Sequence, residues 1–430
     1  MSRHVRSART YLMIYGLVLG TGLLLFLGAR LVPRSLIQKH MEESAWLLTD
    51  NTVIYNWVED VEASKAHRYS DCVTLSIAYQ MDELPGLKGP LRAGFYWSTE
   101  KHTNHNFSDA VHQGLPANEN YSRYWHGSAA LMRLAHVFTS IGTIYNVHFV
   151  LATLLFLLLL WQLTRLGMPD AALCTVAALL MVSAWWALLT LESTWMFLLM
   201  LSASVLGVEL IHRGREEWCG PFFFAVGMIA IYLDFFTTET VTLTCPLLLM
   251  LTAMERRGAD TLTLWRRAGE SAAAWLAGYA GMWATKWVLA LTVVGGDSAA
   301  ALQYNVNKWL SRNSVRAEHT PEIVRHMWDV VLERLFPLEY GPIGRAVFWL
   351  LVLLVLVAVL LRWKRLDRVC ALYALVGCVP FARFTALRGH TAQHYFFTYR
   401  ALAGTMLAIG LILAYLYWPY KKEGTKREAQ

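Results

Sequence analysis

Several short polar segments in a mostly apolar chain carry side chains that can do chemistry. Asp71 lies in the segment HRYSDCVTLSIAYQ, where a polar start passes into an apolar stretch compatible with a helix. Its carboxylate could act as a general base at a membrane face. The simpler alternative is that Ser70 or Asp71 only caps the N-terminus of that helix.

The segment SRYWHG places a cation beside two aromatic rings and an imidazole. Its residues are Arg123, Tyr124, Trp125 and His126. Aromatic residues with polar tips are common at membrane interfaces, so anchoring of the chain is one interpretation. A guanidinium at headgroup depth is also well suited to a lipid phosphate, which favours a binding role for Arg123.

Charged side chains also interrupt two apolar stretches. Asp234 and Glu239 lie in IYLDFFTTETVTL, and Lys286 lies in GMWATKWVLAL. A charge at the centre of a membrane span costs roughly 2.5–3.5 kcal/mol, so such residues usually face a cavity or a partner. The two acids therefore indicate a polar pocket. Lys286 either extends its ammonium to the membrane surface or holds an anionic headgroup.

The last polar segment, HTAQHYFFTYR, holds two histidines and a terminal arginine. His390 and His394 are four residues apart and would share a helix face, but two histidines alone are weak evidence for a metal. No metal ligand and no cofactor are predicted, although a divalent metal is compatible with the sequence. Arg388 and Arg400 are better suited to phosphate, because a guanidinium offers two parallel hydrogen bonds.

The composition indicates a membrane protein rather than a soluble globule. Hydrophobic residues make up 56% of the chain, charged residues only 16%, and the mean hydropathy is +0.37. The net charge of +7 comes from short basic loops rather than from a basic patch, so no nucleic-acid partner is predicted. The six cysteines show neither metal-site spacing nor a disulfide framework.

Ten apolar stretches are predicted to cross the bilayer as helices. They cover about residues 11–32, 143–163, 170–190, 194–212, 220–235, 238–254, 271–294, 343–361, 369–387 and 399–419. We therefore expect an all-α polytopic protein with a single integral membrane domain over residues 1–430. Residues 33–141 would form a first extracytoplasmic loop with short interfacial helices, and residues 295–342 a second extracytoplasmic segment.

Basic residues alternate with these stretches in a way that predicts the orientation. They cluster in short loops that include Arg213, Arg257 and Lys364, and such loops stay in the cytoplasm. The expected location is the bacterial cytoplasmic (inner) membrane, with both termini in the cytoplasm. The polar segments described above would then all lie at the outer face.

The order of these motifs resembles a group of bacterial polytopic proteins with the GT-C glycosyltransferase architecture. A long loop containing YSDCVTL is followed by RYWHG, YLDFFTT, WATKW and HxxxHYFFTYR. In that group the corresponding stretches usually read TDxxML, RYWHG, YLDxxTTP and FTYR. This chain departs from the pattern at Ser70, before the aspartate, and at Glu239, where proline is common.

The resemblance implies an enzyme that takes a sugar from a polyprenyl-phosphate donor. The acceptor would be an extracytoplasmic glycan or a protein such as a pilin, and some relatives use arabinofuranose. The base maps best onto Asp71, with Glu59, Asp60 and Asp234 as alternatives. The donor and acceptor site would include Arg123, Tyr124, Trp125, His126, Asp234, Lys286, His394 and Arg400, and Arg123, Lys286 and Arg400 would hold the lipid phosphate.

Two other functions are compatible with the same features. A transporter or flippase of a lipid-linked glycan could share the spans and the cations, but inverted repeats would favour it and the sequence shows none. A glycan polymerase or ligase would differ from the leading interpretation only in the size of the transferred group.

The alternation of basic loops generates a testable topology. We expect cysteines introduced near Asn106 and Asn305 to react with an impermeant thiol reagent in intact cells. Cysteines placed at Arg213, Arg257 and Lys364 should react only after the membrane is opened. Labelling at Arg257 in intact cells, with the position near Asn106 protected, would contradict the predicted orientation.

Overall fold

Helices make up most of the chain in the computed structural model, which describes residues 3–50, 53–56, 58–59, 61, 64–314, 320–336, 342–365 and 367–418. In chain order they are α1 (Arg3–Leu31), α2 (Arg34–Thr49), α3 (Arg68–Gln80), α4 (Lys88–Arg92), α5 (Thr103–His112), α6 (Gly127–Ala135), α7 (Ile141–Arg165), α8 (Pro169–Met181), α9 (Ala184–Ala187), α10 (Leu191–His212) and α11 (Cys219–Leu233). They continue with α12 (Val241–Arg256), α13 (Thr261–Leu289), α14 (Gly296–Ser314), α15 (Thr320–Leu332), α16 (Pro342–Leu361), α17 (Arg368–Gly377), α18 (Val379–Ala386), α19 (Arg388–Gln393), α20 (Tyr395–Thr398) and α21 (Ala403–Tyr417).

Seven helical segments among the described residues are long and apolar enough to cross a membrane. They are Ala8–Leu31, Ile141–Arg165, Leu191–His212, Glu216–Leu233, Ile343–Leu361, Arg368–Ala386 and Tyr395–Tyr417. The chain therefore has the architecture of a mainly α-helical polytopic membrane protein. The predicted number of about ten spans is not confirmed.

Three of the ten predicted spans are not among these seven segments, and each has a local reason. The stretch 170–190 breaks at Ser183, whose φ of 49° interrupts the helix between α8 and α9. Helix α12 has 16 residues and is about 24 Å long, less than the roughly 30 Å of a hydrocarbon core. The stretch 271–294 follows most of α13 and then a π-helical turn at Ala290–Val294, and it contains the charged Lys286.

The segment between the first two spans packs against one end of the helices, which we call the loop end. It contains the predicted short helices as α2 to α6. It also contains two antiparallel strand pairs that the sequence did not predict: β1 (Ile54–Asn56) with β2 (Lys65–His67), and β3 (Gly94–Phe95) with β4 (Glu119–Asn120). Tyr55 lies opposite Ala66 in the first pair, and Phe95 lies opposite Glu119 in the second.

Arg133 in α6 attaches this segment to the bundle. Its fully buried guanidinium donates to the carbonyl oxygens of Ala78 and Tyr79 at 2.6 and 2.8 Å and to that of Val32 at 2.6 Å, and it pairs with Asp82 at 3.1 Å. The last carbonyls of a helix lack partners within the helix. Arg133 therefore satisfies the end of α3 and holds it beside the end of α1.

The structure also refines the positions for thiol labelling. Asn106 is buried and donates to the carbonyl oxygen of Ser98, whereas its neighbour His105 is exposed. Tyr304, next to Asn305, is exposed as well. His105 and Tyr304 are therefore the residues to replace.

Helices α11 and α13 approach each other closely at two glycines. A Cβ atom at Gly278 would lie 2.2 Å from the carbonyl oxygen of Phe224, and one at Gly227 would lie 2.2 Å from that of Trp275. Backbone lies against backbone at both points, so no side-chain movement can relieve the contact.

We expect Gly278→Ala to destabilise the protein by about 1–3 kcal/mol, because the added methyl group forces α11 and α13 apart. Gly269→Ala on the same helix is the matched control. No atom lies within 4 Å of that position, so the change should be neutral or should stabilise by up to about 1 kcal/mol through helix propensity. Thermal unfolding of the purified protein in detergent measures both, and equal effects would contradict the close approach.

Candidate functional site

The Asp71 carboxylate joins the loop segment to two membrane spans. The side chain is fully buried in the first turn of α3. One oxygen accepts a hydrogen bond from the Tyr145 hydroxyl on α7 at 2.5 Å, and the other accepts from the backbone N–H of Leu191 at 2.9 Å. Leu191 begins α10, so its N–H has no partner within its own helix. Asp71 thus caps a different helix from the one that the sequence suggested.

Glu192, the residue after Leu191, contributes a second carboxylate. The Ser70 hydroxyl donates to Glu192 Oε1 at 2.8 Å, and the Nδ1 atom of His67 lies 3.3 Å from the same oxygen. Glu192 occupies the first turn of α10, whereas His67 ends β2. We call Asp71, Glu192, His67, Ser70 and Tyr145 the carboxylate cluster.

Burial raises the pKa of Asp71 to about 7. The hydrogen bond from Tyr145 opposes this rise, and the nearby charge of Glu192 adds to it. A carboxyl group with such a pKa exchanges its proton near neutral pH, which is typical of functional sites.

Arg123 lies in a cage of aromatic rings. Its guanidinium is 4.6 Å from the ring centroid of Tyr121 and 4.9 Å from that of Tyr124, and it donates to the Tyr121 hydroxyl at 2.8 Å. The backbone oxygen of Arg123 accepts hydrogen bonds from the indole N–H groups of Trp283 and Trp287 at 3.0 and 3.1 Å. These contacts fix the cation beside the end of α13. We call Arg123, Tyr121, Tyr124 and His126 the Arg123 cluster.

His126 lies beside the cation as a neutral ring. Its centroid is 4.7 Å from that of Tyr121 and 6.1 Å from that of Phe235. Burial lowers the pKa of His126 to about 3, and the charges of Lys286 and Arg123 add to this effect. His126 is therefore uncharged at neutral pH and is a poor proton acceptor there.

Trp125 and Lys286 are both fully buried. Trp125 packs against Phe26 and Tyr232, and its indole N–H donates to the carbonyl oxygen of Met282 at 2.8 Å. The Lys286 ammonium donates to the carbonyl oxygen of Leu91 at 2.6 Å. Lys286 therefore does not extend to a membrane surface, and its hydrogen bond holds the end of α4 against α13.

The two acids of the DFFTTE segment have partners within the fold. Asp234 accepts hydrogen bonds from the backbone N–H of Thr237, at 3.0 Å, and from its hydroxyl, which closes a tight turn after α11. Glu239 pairs with Arg383 on α18 at 2.9 Å, and Arg383 also donates to the carbonyl oxygen of Phe236 at 2.7 Å. Phe236 in turn packs edge-on against Tyr124 of the Arg123 cluster, at 5.5 Å.

The last predicted motif packs next to the carboxylate cluster. Phe396 and Phe397 contact the His67 ring, with centroids 5.1 and 6.4 Å away. The rings of His390 and His394 lie 4.6 Å apart, and the Arg400 guanidinium lies over Tyr399. Within the part of the chain that the structure describes, no group of three histidine, cysteine or acidic side chains could hold a metal ion.

Tyr69 connects the two clusters. Its ring stacks on His67 with centroids 5.7 Å apart and meets Trp97 edge-on at 6.0 Å. Burial raises the pKa of Tyr69, and the charge of Arg123 is near enough to oppose that rise. A run of contacting rings, Tyr69, Trp97, Phe95 and Tyr121, therefore links the carboxylate cluster to the Arg123 cluster at the loop end.

The predicted site residues are thus divided among three places. Six of them meet around the end of α13: Arg123, Tyr124, Trp125, His126, Asp234 and Lys286. Asp71 lies beyond Tyr69, and His394 and Arg400 lie on the last helical segment. Among the alternative bases, Glu59 is exposed and Asp60 lies outside the described residues.

Sequence reasoning missed His67, Tyr145 and Glu192. An acid between two apolar stretches was a usable signal for Glu192, because such a residue requires a partner. No pattern in the sequence marks Tyr145, since only the packing of α7 beside α3 brings its hydroxyl to Asp71.

No protein-family model matches this chain, and neither a curated protein nor a solved structure matches it. The resemblance drawn from the motifs therefore stays a prediction.

The raised pKa of Asp71 predicts a pH-dependent stability. We expect the free energy of unfolding of the native protein to fall, relative to that of Asp71→Asn, as the pH rises from about 4 to about 7. A carboxyl whose pKa is higher in the folded chain favours folding while protonated, and the unfolded chain loses that proton first. The asparagine retains an oxygen for the Leu191 N–H but cannot titrate.

Thermal unfolding of both proteins in detergent, across pH 4–8, measures this difference. Glu100→Gln, a change at an exposed acid, is the control and should leave the profile parallel to that of the native protein. A difference between native protein and Asp71→Asn that stays constant with pH would contradict the assignment.

Proposed function

We propose that this protein is a membrane glycosyltransferase that moves a sugar from a polyprenyl-phosphate donor to an extracytoplasmic acceptor. The observation that carries the proposal is the run of contacting rings that connects His67 of the carboxylate cluster to Tyr121 of the Arg123 cluster. The two clusters together contain a proton-accepting group and a fixed cation, the two elements that such a transfer requires.

The chemistry assigns a role to each cluster. In the transfer, the acceptor oxygen bonds to the anomeric carbon while the bond from that carbon to the phosphate oxygen breaks. Negative charge then grows on the leaving phosphate, and a fixed cation such as Arg123 stabilises it. The acceptor hydroxyl loses its proton in the same step, and the carboxylate cluster contains a group with a pKa near neutral pH that can support this loss.

The surroundings of Arg123 favour a lipid-linked donor over a soluble one. Trp283 and Trp287 hold the Arg123 backbone, and tryptophan is enriched at the depth of lipid headgroups. A lipid phosphate at that depth would meet the guanidinium without leaving the membrane. The basic loops predict that this end faces away from the cytoplasm, where nucleotide sugars are made.

Aromatic rings offer a platform for the sugar between the two clusters. Tyr69 is partly exposed, and Trp97 and Phe95 continue the aromatic surface toward Tyr121. Flat apolar rings beside hydrogen-bonding groups match the mixed character of a sugar. The acceptor class, a surface glycan or a protein such as a pilin, is the one that the resemblance implies.

We expect Arg123→Gln to weaken donor use by about 1.5–3 kcal/mol, or roughly 10- to 150-fold, the value of a hydrogen bond to a charged group. Arg266→Gln is the matched control, because Arg266 is exposed near the start of α13, far from the loop end. The measurement is kcat/KM for polyprenyl-phosphate hexose and pentose donors with protein in proteoliposomes.

The same assay separates the alternatives. Turnover of a soluble nucleotide sugar without any lipid donor, unchanged in Arg123→Gln, would refute the proposal. Movement of a lipid-linked glycan across the bilayer with no product bond would instead indicate a flippase. Transfer only of preassembled oligosaccharides would indicate a polymerase or ligase.

A further inference from the structure

We propose that His67 takes the proton from the acceptor hydroxyl and that Glu192 is the positioning residue that orients its ring. This inference rests on the function proposed above. It assigns the proton transfer to an imidazole rather than to the nearby aspartate.

The described polar contact of His67 uses one of its two ring nitrogens. Its Nδ1 atom lies 3.3 Å from Glu192 Oε1, a separation that is long but common for catalytic hydrogen bonds before substrate binds. The two nitrogens of an imidazole point in divergent directions, so Nε2 points away from Glu192. The His67 side chain is 12% exposed and that of Glu192 only 4%. His67 is thus the more accessible member of the pair.

Asp71 is less suited to contact a substrate directly. Both of its oxygens already accept hydrogen bonds, from Tyr145 and from the N–H of Leu191, and its side chain has no exposed surface. Using Asp71 as the base would require breaking at least one of these bonds. Leaving the buried N–H of α10 without a partner would add to the barrier.

The groups that face His67 favour its protonated form. Glu192 approaches from α10 and Asp71 from α3, and the uncharged rings of Phe396 and Phe397 contact His67 from the last helical segment. Burial lowers the pKa of His67, but the charge and hydrogen bond of Glu192, with a contribution from Asp71, leave that pKa raised.

The remaining neighbours hold the ring in place. Tyr69 stacks on His67, and burial raises the pKa of its hydroxyl further above neutral. The Arg68 guanidinium donates to the carbonyl oxygen of Leu47 and lies over the ring of Tyr55. The His67 ring is therefore held between the Tyr69 ring and the Glu192 carboxylate.

In the transfer step, two bonds break and two bonds form. The acceptor O–H bond breaks, its proton moves to Nε2 of His67, and its oxygen forms the new bond to the anomeric carbon. The electrons of the broken carbon–oxygen bond stay on the leaving polyprenyl phosphate. The imidazolium, held by Glu192, then returns its proton to water. No oxidant, reductant or further reactant is needed.

The first test is the pH profile of kcat/KM with polyprenyl-phosphate sugars for three variants. His67→Gln should reduce the rate by about 10²–10⁴-fold and abolish the rise in rate with pH that reports deprotonation of the base. Glu192→Gln should shift that rise to lower pH, because the imidazolium loses its stabilising charge. A merely structural role for Glu192 would change the rate without moving the rise.

Asp71→Asn separates the two candidate bases. If His67 is the base, Asp71→Asn keeps the rise in rate with pH, at a lower overall rate. If Asp71→Asn abolishes the rise and His67→Gln keeps it, the inference is overturned while the proposed function stands. If the native protein turns over no polyprenyl-phosphate sugar at all, the proposed function itself fails.

A second measurement does not depend on the reaction. Diethyl pyrocarbonate modifies accessible neutral imidazoles, and peptide mass spectrometry resolves each histidine. We expect His67 to react in the native protein, with the exposed His105 as positive control and the fully buried His136 as negative control. Glu192→Gln should extend the reaction of His67 to lower pH. A His67 as unreactive as His136 would overturn the inference.

Discussion

The hydrogen bond from the Leu191 N–H to the Asp71 carboxylate is the interaction on which the loop end depends. It places a loop helix, α3, directly on the start of a membrane span, α10, and the Tyr145 hydroxyl adds a second span to the same side chain. A buried carboxyl is costly unless its oxygens are satisfied, so the three helices are held in one arrangement. Glu192 and His67 are positioned as a consequence, because Glu192 directly follows Leu191 and His67 directly precedes α3, the helix that carries Asp71.

A second buried polar contact, made by Arg133, holds the other end of α3 in position. Arg133 donates to the carbonyl oxygens of Ala78 and Tyr79 at the end of α3 and to that of Val32, just after α1. Thus α3 is fixed at both ends, at its start through Asp71 and at its end through Arg133. A helix held in this way keeps His67 and Tyr69 at a constant distance from the spans, which is a requirement for a site assembled from separate segments.

The cost of burying a charged group without a partner also explains why many charged residues of this protein have structural roles. Lys286 donates to the carbonyl oxygen of Leu91 and Glu239 pairs with Arg383. Trp125 belongs to the core. Residue type alone could not separate these from residues that face a ligand, since a buried amine and an exposed one look alike in sequence. Arg123 differs in its surroundings, because the rings of Tyr121 and Tyr124 lie against its guanidinium.

The sequence by itself determined the membrane class, the helical character and the long loop after α1, because these depend on the length and periodicity of apolar stretches. It also marked Asp71 and the RYWHG segment as places where polar groups need partners. Only the tertiary structure decided which partners they find. The capping of α10 by Asp71, the pairing of His67 with Glu192 and the bridge through Tyr69 join residues far apart in the chain, and local pattern carries no information on such contacts.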